Sequence, residues 1–199
     1  LILLGVVGVS ISGWAPARAL VGNVRDYLGL HMVEAHAQLL CNAADESGVD
    51  VTLLGGIMYM ESRGRTGQRS PAGALGLMQL VPAAAGDAAR RLGLPEPSVE
   101  QLPEDDELHV RLGAAHLAWL LEHRGQWSLE QVLVSYNAGR ARLMGWIEDA
   151  GGYGSWRAEQ EQAGERGVAI SGALSYALGV LDAARTLKAR GELVPDALD

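Results

Sequence analysis

Apolar residues recur at near-helical spacing from Val24 onwards: Val24, Leu28, Met32 or Val33, Leu39 or Leu40, then Ala43. This predicts an amphipathic helix over 24–47, stopped by Gly48. Asp50 is a good N-cap for a second helix over 51–62, which is almost wholly apolar until it reaches Glu61 and Ser62. Residues 63–75 are polar, rich in Arg and Gly, and read as a loop. Pro82 suits the first turn of a third helix ending near Leu92, with Gly93 as its C-terminal glycine. A Pro-rich connection occupies 94–104, and Asp105 or Asp106 then opens a helix to about Arg124, closed by Gly125. Ser128 and Gln131 form a capping box for a helix over 129–137, and a short helix fits 140–149. Residues 151–154 make a turn-rich break, and 157–167 read as polar. A last helix covers about 169–190, with Leu174, Leu178, Leu181 and Leu187 on one side.

Ala and Leu dominate, while runs of Val, Ile and Thr are hard to find, so the fold class is mainly α. No internal repeat or low-complexity tract is present. Helical patterns flank the Pro-rich stretch and need partners on both sides, which makes that stretch a loop within one domain. The 199 residues, 48% of them hydrophobic, suit one globular domain plus a short extra segment.

That extra segment is N-terminal. Residues 1–17 carry no charge and lack helical polar spacing. A spanning helix needs about 20 apolar residues, slightly more than this run supplies. Two readings stand level. As an export signal, the run would be cleaved near Ala17-Arg18-Ala19. As a membrane anchor, it would be retained with Trp14 and Arg18 at its border. A buried core helix is the third and weaker reading. The expected organisation is a signal peptide or anchor over 1–23 and one globular domain over 24–192, exported to the periplasm or cell envelope.

Net charge is −8 and no basic patch stands out, which argues against a nucleic-acid partner. The single cysteine, Cys41, excludes an intrachain disulfide and a Cys-based zinc site, and reads as a small buried apolar residue. His109, His116 and His123 recur every seven residues. On a helix each step is about 10.5 Å, too far for joint metal ligation. His31 and His36 are also poorly spaced for a helical metal pair, so no metal and no cofactor are expected.

Three segments carry candidate chemistry. A carboxyl group at Glu61 would sit in the last turn of an apolar helix. The macrodipole and apolar neighbours such as Ile57, Met58 and Met60 would both raise its pKa, as a general acid requires. Taken alone, an ordinary solvated Glu explains that segment equally well. The loop from Ser70 to Leu80 is rich in small residues, which admit a close-lying chain, and Gln79 offers a donor and an acceptor for an amide or sugar hydroxyl. It lacks the Gly-Lys-Ser/Thr of a phosphate-binding loop. Tyr136-Asn137-Ala138-Gly139 ends a helix, and its tyrosine hydroxyl can be directed at a buried carboxyl.

Together these residues resemble the family 1 lytic transglycosylases, the soluble-lytic-transglycosylase type of peptidoglycan enzyme. The resemblance rests on Glu61-Ser62, Ser70, Gly73-Ala74-Leu75-Gly76-Leu77-Met78-Gln79-Leu80-Val81-Pro82 and Tyr136-Asn137-Ala138-Gly139. Gly48-Val49-Asp50 and Trp127-Ser128-Leu129 flank them in the familiar way, and the likeness covers about residues 33–147. It departs where His109 takes an Asn position ahead of Gly113, where His116-Leu117 replaces Tyr-Leu, and where Val81 stands for Met.

The resemblance implies a lysozyme-like helical domain with a cleft, of the goose-type lysozyme and lytic transglycosylase kind. It implies that Glu61 is the single catalytic acid, cutting the bond between N-acetylmuramic acid and N-acetylglucosamine in peptidoglycan and leaving 1,6-anhydro ends. Ser70 would position the C6 hydroxyl or acetamido group, Gln79 would line the cleft and Met78 would pack in the groove floor. Tyr136 would help to hold Glu61 and the reacting sugar, and Asn137 would stabilise its turn. Tyr176 is a candidate third aromatic, and Asp87 or Glu104 would be the nearest candidates for a second carboxylate. Two alternatives remain: a lysozyme-like hydrolase of the same fold, and a non-catalytic peptidoglycan-binding envelope protein.

Overall fold

The computed structural model describes residues 14–167 and 169–193. Its elements are α1 (Trp14–Glu34), α2 (Ala37–Ser47), α3 (Val51–Ser62), α4 (Pro82–Arg91), α5 (Asp106–Glu122), α6 (Leu129–Ala138), α7 (Arg140–Asp149), α8 (Tyr153–Glu165) and α9 (Gly172–Arg190). Among the described residues there is no regular strand, only two isolated antiparallel bridges, Arg69 with Leu75 and Leu75 with Leu80.

Helix α3 is the axis of the molecule. The Asp50 carboxylate accepts from the backbone N–H of Thr52 and Leu53 at 2.9 and 3.1 Å and so fixes where α3 starts. Arg63 ends it in the left-handed region, at φ 56°. Leu53, Leu54, Ile57 and Met58 are buried. Helix α9 packs along α3, α6 packs on α9, and α2 and α4 pack on α5. The α3–α9 crossing is close because α3 carries glycine there. A Cβ at Gly56 would lie 2.6 Å from the Val180 carbonyl oxygen, a backbone atom that cannot step aside. This crossing brings the end of α3 beside Tyr176 of α9.

Two element expectations need correction. The helix foreseen over 24–47 is two helices, broken at Ala35 and His36. The His36 Nε2 is bonded to the Gly64 carbonyl at 2.9 Å, and the loop after α3 packs against the backbone of Met32 and Val33. That long-range contact turns the chain where local periodicity continues. Residues 153–165, read as a turn and a polar stretch, form helix α8. It buries one large side chain, Trp156, which stacks on Trp146 of α7 at 5.5 Å between ring centroids. One anchoring aromatic leaves no apolar period to read.

The apolar run 1–17 lies mostly outside the described residues, and the boundary drawn at residue 24 falls inside α1. Among the described residues no helix is long and apolar enough to cross a membrane. Cys41 is buried, with its Sγ 3.9 Å from the Leu193 carbonyl.

Candidate active site

Glu61 stands in the last turn of α3 and lines a cleft of about 560 Å³. Burial among apolar groups pushes its carboxyl up to about 7, and the Tyr176 hydroxyl beside it moderates the rise. That hydroxyl is itself buried and has no partner in regular hydrogen-bond geometry. Both Tyr176 and Tyr136 have hydroxyl pKa values far above the ordinary tyrosine range, through burial first and then the Glu61 charge.

The opposite wall is the loop from Ser70 to Val81. Ser70 N–H donates to the Ala74 carbonyl at 2.8 Å, and its Oγ accepts from Ala74 N–H at 3.0 Å. Leu75 and Leu80 exchange both backbone bonds, at 3.0 and 3.1 Å. Gln79 closes the turn at φ 45°, and its Nε2 donates to the Gly76 carbonyl at 3.0 Å. Gly76 has φ 65°, and a Cβ there would lie 2.7 Å from the His109 ring. A side chain at this position would therefore push the loop off α5.

His109 explains its own presence. It is fully buried, and its Nδ1 accepts from the Met78 backbone N–H at 3.3 Å. An accepting Nδ1 assigns the proton to Nε2, next to the Leu75 carbonyl. Burial holds the ring neutral, with its pKa pushed down to about 4. The next peptide unit is held as well, because the Tyr136 hydroxyl donates to the Met78 carbonyl at 3.3 Å. Two elements thus clamp the loop at Met78. The Tyr136 hydroxyl holds the loop and also feels the Glu61 charge, while Tyr176 is the phenol directly beside Glu61. The Met78 side chain is fully buried against Gly113 and does not line the cleft.

Ser70, Gln79, Tyr136 and Asn137 all line the cleft with Glu61. Asn137 is exposed there, and among the described residues its side chain makes no bond to the turn after α6. The cleft also contains residues that the motifs did not reveal: Trp119, Ser135 and Arg140. His116, noted only as a departure, lies between Tyr136 and Trp119 at ring distances of 5.3 and 6.5 Å. Burial, and then the nearby Arg91 charge, push its pKa down to about 4. The spacing of His116 and Trp119, three apart on one helix, is the signal by which both could have been placed on one face. No carboxylate joins Glu61 in the cleft among the described residues. Asp87 is exposed and paired with Arg90, and Glu104 is exposed. Among the described residues no three His, Cys, Asp or Glu side chains are grouped as metal ligands would be.

The chain matches the model of the transglycosylase SLT domain over residues 38–158. It is 30% identical over 136 residues to a Haemophilus influenzae protein named as a soluble lytic murein transglycosylase, covering 67% of this chain and 22% of that one. It is 44% identical over 75 residues to the endo-type membrane-bound lytic murein transglycosylase A of Klebsiella pneumoniae, covering 37% of this chain and 36% of that one. The chain thus spans well under half the length of these relatives. An inactive mutant of lytic transglycosylase Slt from Pseudomonas aeruginosa superposes with a TM-score of 0.64 at 27% identity, covering 83% of this chain and 26% of that one. The 70 kDa soluble lytic transglycosylase of Escherichia coli shares the fold, with a TM-score of 0.61 at 21% identity over 77% of this chain and 24% of that one. The mainly α, lysozyme-like architecture expected from the sequence is the one these structures have.

Proposed function

The chain belongs to the transglycosylase SLT domain family, and on that premise we propose that it is a peptidoglycan lytic transglycosylase with Glu61 as its acid and base. The observation that carries the reading is a single desolvated carboxyl in a cleft. With a pKa of about 7, Glu61 is substantially protonated at neutral pH and can donate to the glycosidic oxygen as the C1–O bond breaks. The carboxylate left behind then takes the proton of the muramyl C6 hydroxyl as that oxygen attacks C1. The ring closes to a 1,6-anhydro sugar, no water is consumed, and Glu61 regains its proton. Two-carboxylate glycosidases need a second acidic group near the bond as nucleophile or base for water. Asp87 and Glu104 are not placed for that role, which favours the internal hydroxyl as nucleophile.

Ser70, Gln79 and Asn137 supply polar groups to the sugar from the cleft walls, and Tyr136 acts by fixing the loop. Peptidoglycan glycan strands are the partner in this reading, and the cell envelope is the place of action. The N-terminal apolar run would serve as export signal or anchor, ahead of a catalytic unit ending near residue 192.

Digestion of purified peptidoglycan and weighing of the muropeptides tests this. Products lighter by one water than reducing-end fragments are expected. Reducing ends alone would assign a lysozyme-like hydrolase. No cleavage would leave the non-catalytic binder.

A further inference from the structure

Glu61 and Arg140 are the only charged residues that line the cleft among the described residues. Arginine stays cationic at any working pH, whereas Glu61 is largely neutral below about pH 7. The chain as a whole carries −8, against which a cleft with one permanent cation and one largely neutral acid is set apart. A low-dielectric groove of one sign focuses its field on a ligand of the other.

Arg140 is held ready rather than engaged. Its guanidinium carbon lies 4.3 Å from the Trp127 ring centroid, a cation–π stack, and its Nη1 donates to the His123 carbonyl at 3.1 Å. Those two contacts fix the plane of the group. Its Nε and Nη2 have no partner among the described residues, and no carboxylate pairs with it. Arg63, Arg111, Arg157 and Arg190, by contrast, each rest on an Asp or Glu. Arg140 opens α7, whose first turn holds Arg142 and no acidic residue, so the helix itself adds no negative charge nearby. A planar, pre-oriented guanidinium with a free edge matches a carboxylate.

Resting on the transglycosylase reading, we propose that Arg140 is a specificity-determining residue that binds a carboxylate on the lactyl arm of the muramyl sugar. On strands that carry a stem peptide the lactyl carboxyl is an amide and the carboxylate is one in the peptide; on strands without it the carboxylate is that of the lactyl group itself. Glu61 reads the bond to be cut, and Arg140 reads whether the strand bears an anionic arm. An N-acetylglucosamine polymer has the same sugar backbone and lacks the arm.

The test uses Glu61→Gln as the non-cleaving parent and calorimetry with three glycans. These are peptide-bearing strands, strands stripped of peptide by an amidase, and uncharged N-acetylglucosamine oligomers. Adding Arg140→Gln is expected to weaken binding of at least one of the two anionic strands about tenfold at low salt and to remove most of its salt dependence. Affinity for the uncharged oligomers is expected to stay within about twofold, since neither stacking nor sugar hydroxyls are lost. A loss confined to peptide-bearing strands, whose lactyl carboxyl is an amide, assigns the carboxylate to the stem peptide. A loss confined to stripped strands, whose lactyl carboxyl is free, assigns it to the lactyl group, and a loss on both shows that Arg140 takes either. Equal losses on all three glycans, or none on either charged one, overturn the inference while leaving the enzymatic reading intact. If the unmodified protein cleaves no peptidoglycan and the parent binds no glycan, both fall.

Discussion

At the scale of the residue, Glu61 is a carboxyl that burial keeps protonated, and the cost of that arrangement is measurable. Its folded pKa of about 7 lies above the ordinary value of 4.5, so between those values the folded state binds the extra proton. Stability from this group is therefore greatest at low pH and is lost as pH rises towards 7. Glu61→Gln is expected to abolish cleavage, by roughly a factor of 10² to 10⁴, while raising the melting temperature more at pH 8 than at pH 5. Retained turnover, or equal stabilisation at both pH values, would reject the assignment. The two tyrosines should separate cleanly. Tyr176 holds the carboxyl pKa down, so Tyr176→Phe should move the alkaline limb of the pH–activity curve upward. Tyr136→Phe removes the bond to the Met78 carbonyl instead. It should cost about 1 kcal/mol of stability and lower the rate, with the limb left in place. A shifted limb in Tyr136→Phe would show that its hydroxyl acts on Glu61 directly.

At the scale of the element, the α3–α9 crossing decides whether Glu61 and Tyr176 meet. Gly56→Ala places a methyl 2.6 Å from the Val180 carbonyl oxygen and should cost about 1–3 kcal/mol. Its activity should fall further than the loss of folded protein explains, because the two helices move apart beneath the acid. Gly145→Ala on α7, where nothing lies within 4 Å, is the control and should be neutral or stabilising by up to about 1 kcal/mol. Chemical denaturation of the two variants checks both. The contrast also shows why some elements were legible in the sequence and others were not. Helix α3 announced itself through Asp50 and a continuous apolar run, and α6 through the Ser128–Gln131 box, because caps and runs are local signals. The break at His36 depends on a carbonyl 28 residues away, and α8 depends on Trp146 of another helix, so no local window contains either cause. The site divides in the same way. Glu61, Ser70, Gln79 and Tyr136 belong to compact motifs. Trp119, Arg140 and the approach of Tyr176 to Glu61 exist only once distant helices are packed.

At the scale of the whole molecule, three buried groups oppose one another as pH changes, and their balance can be worked out. His109 and His116 are neutral in the fold, with pKa values of about 4, against the ordinary 6.5. Between those values the unfolded chain binds more protons through them, so each makes stability rise with pH. Glu61 acts in the opposite sense from 4.5 to about 7. From about pH 4.5 to 6.5 the two histidines outweigh the one carboxyl, and stability climbs. At pH 6.5 the unfolded histidines are still half protonated and continue to offset Glu61, so the climb slackens towards pH 7 and stability is nearly level above it. Asp50 and Glu46, whose carboxyls are held below their ordinary values by Thr52 and Arg111 respectively, steepen the loss only in more acid solution. The melting temperature is therefore expected to climb from about pH 4.5 and level off near pH 7. In Glu61→Gln the climb should be about twice as steep, because no carboxyl then opposes the two histidines. In His116→Asn the climb should flatten, since one histidine then faces one carboxyl. A Glu61→Gln variant that climbs no more steeply than the parent between about pH 4.5 and 7 would mean that the carboxyl is solvated in the fold. The case for Glu61 as a neutral acid at working pH would then be lost with it.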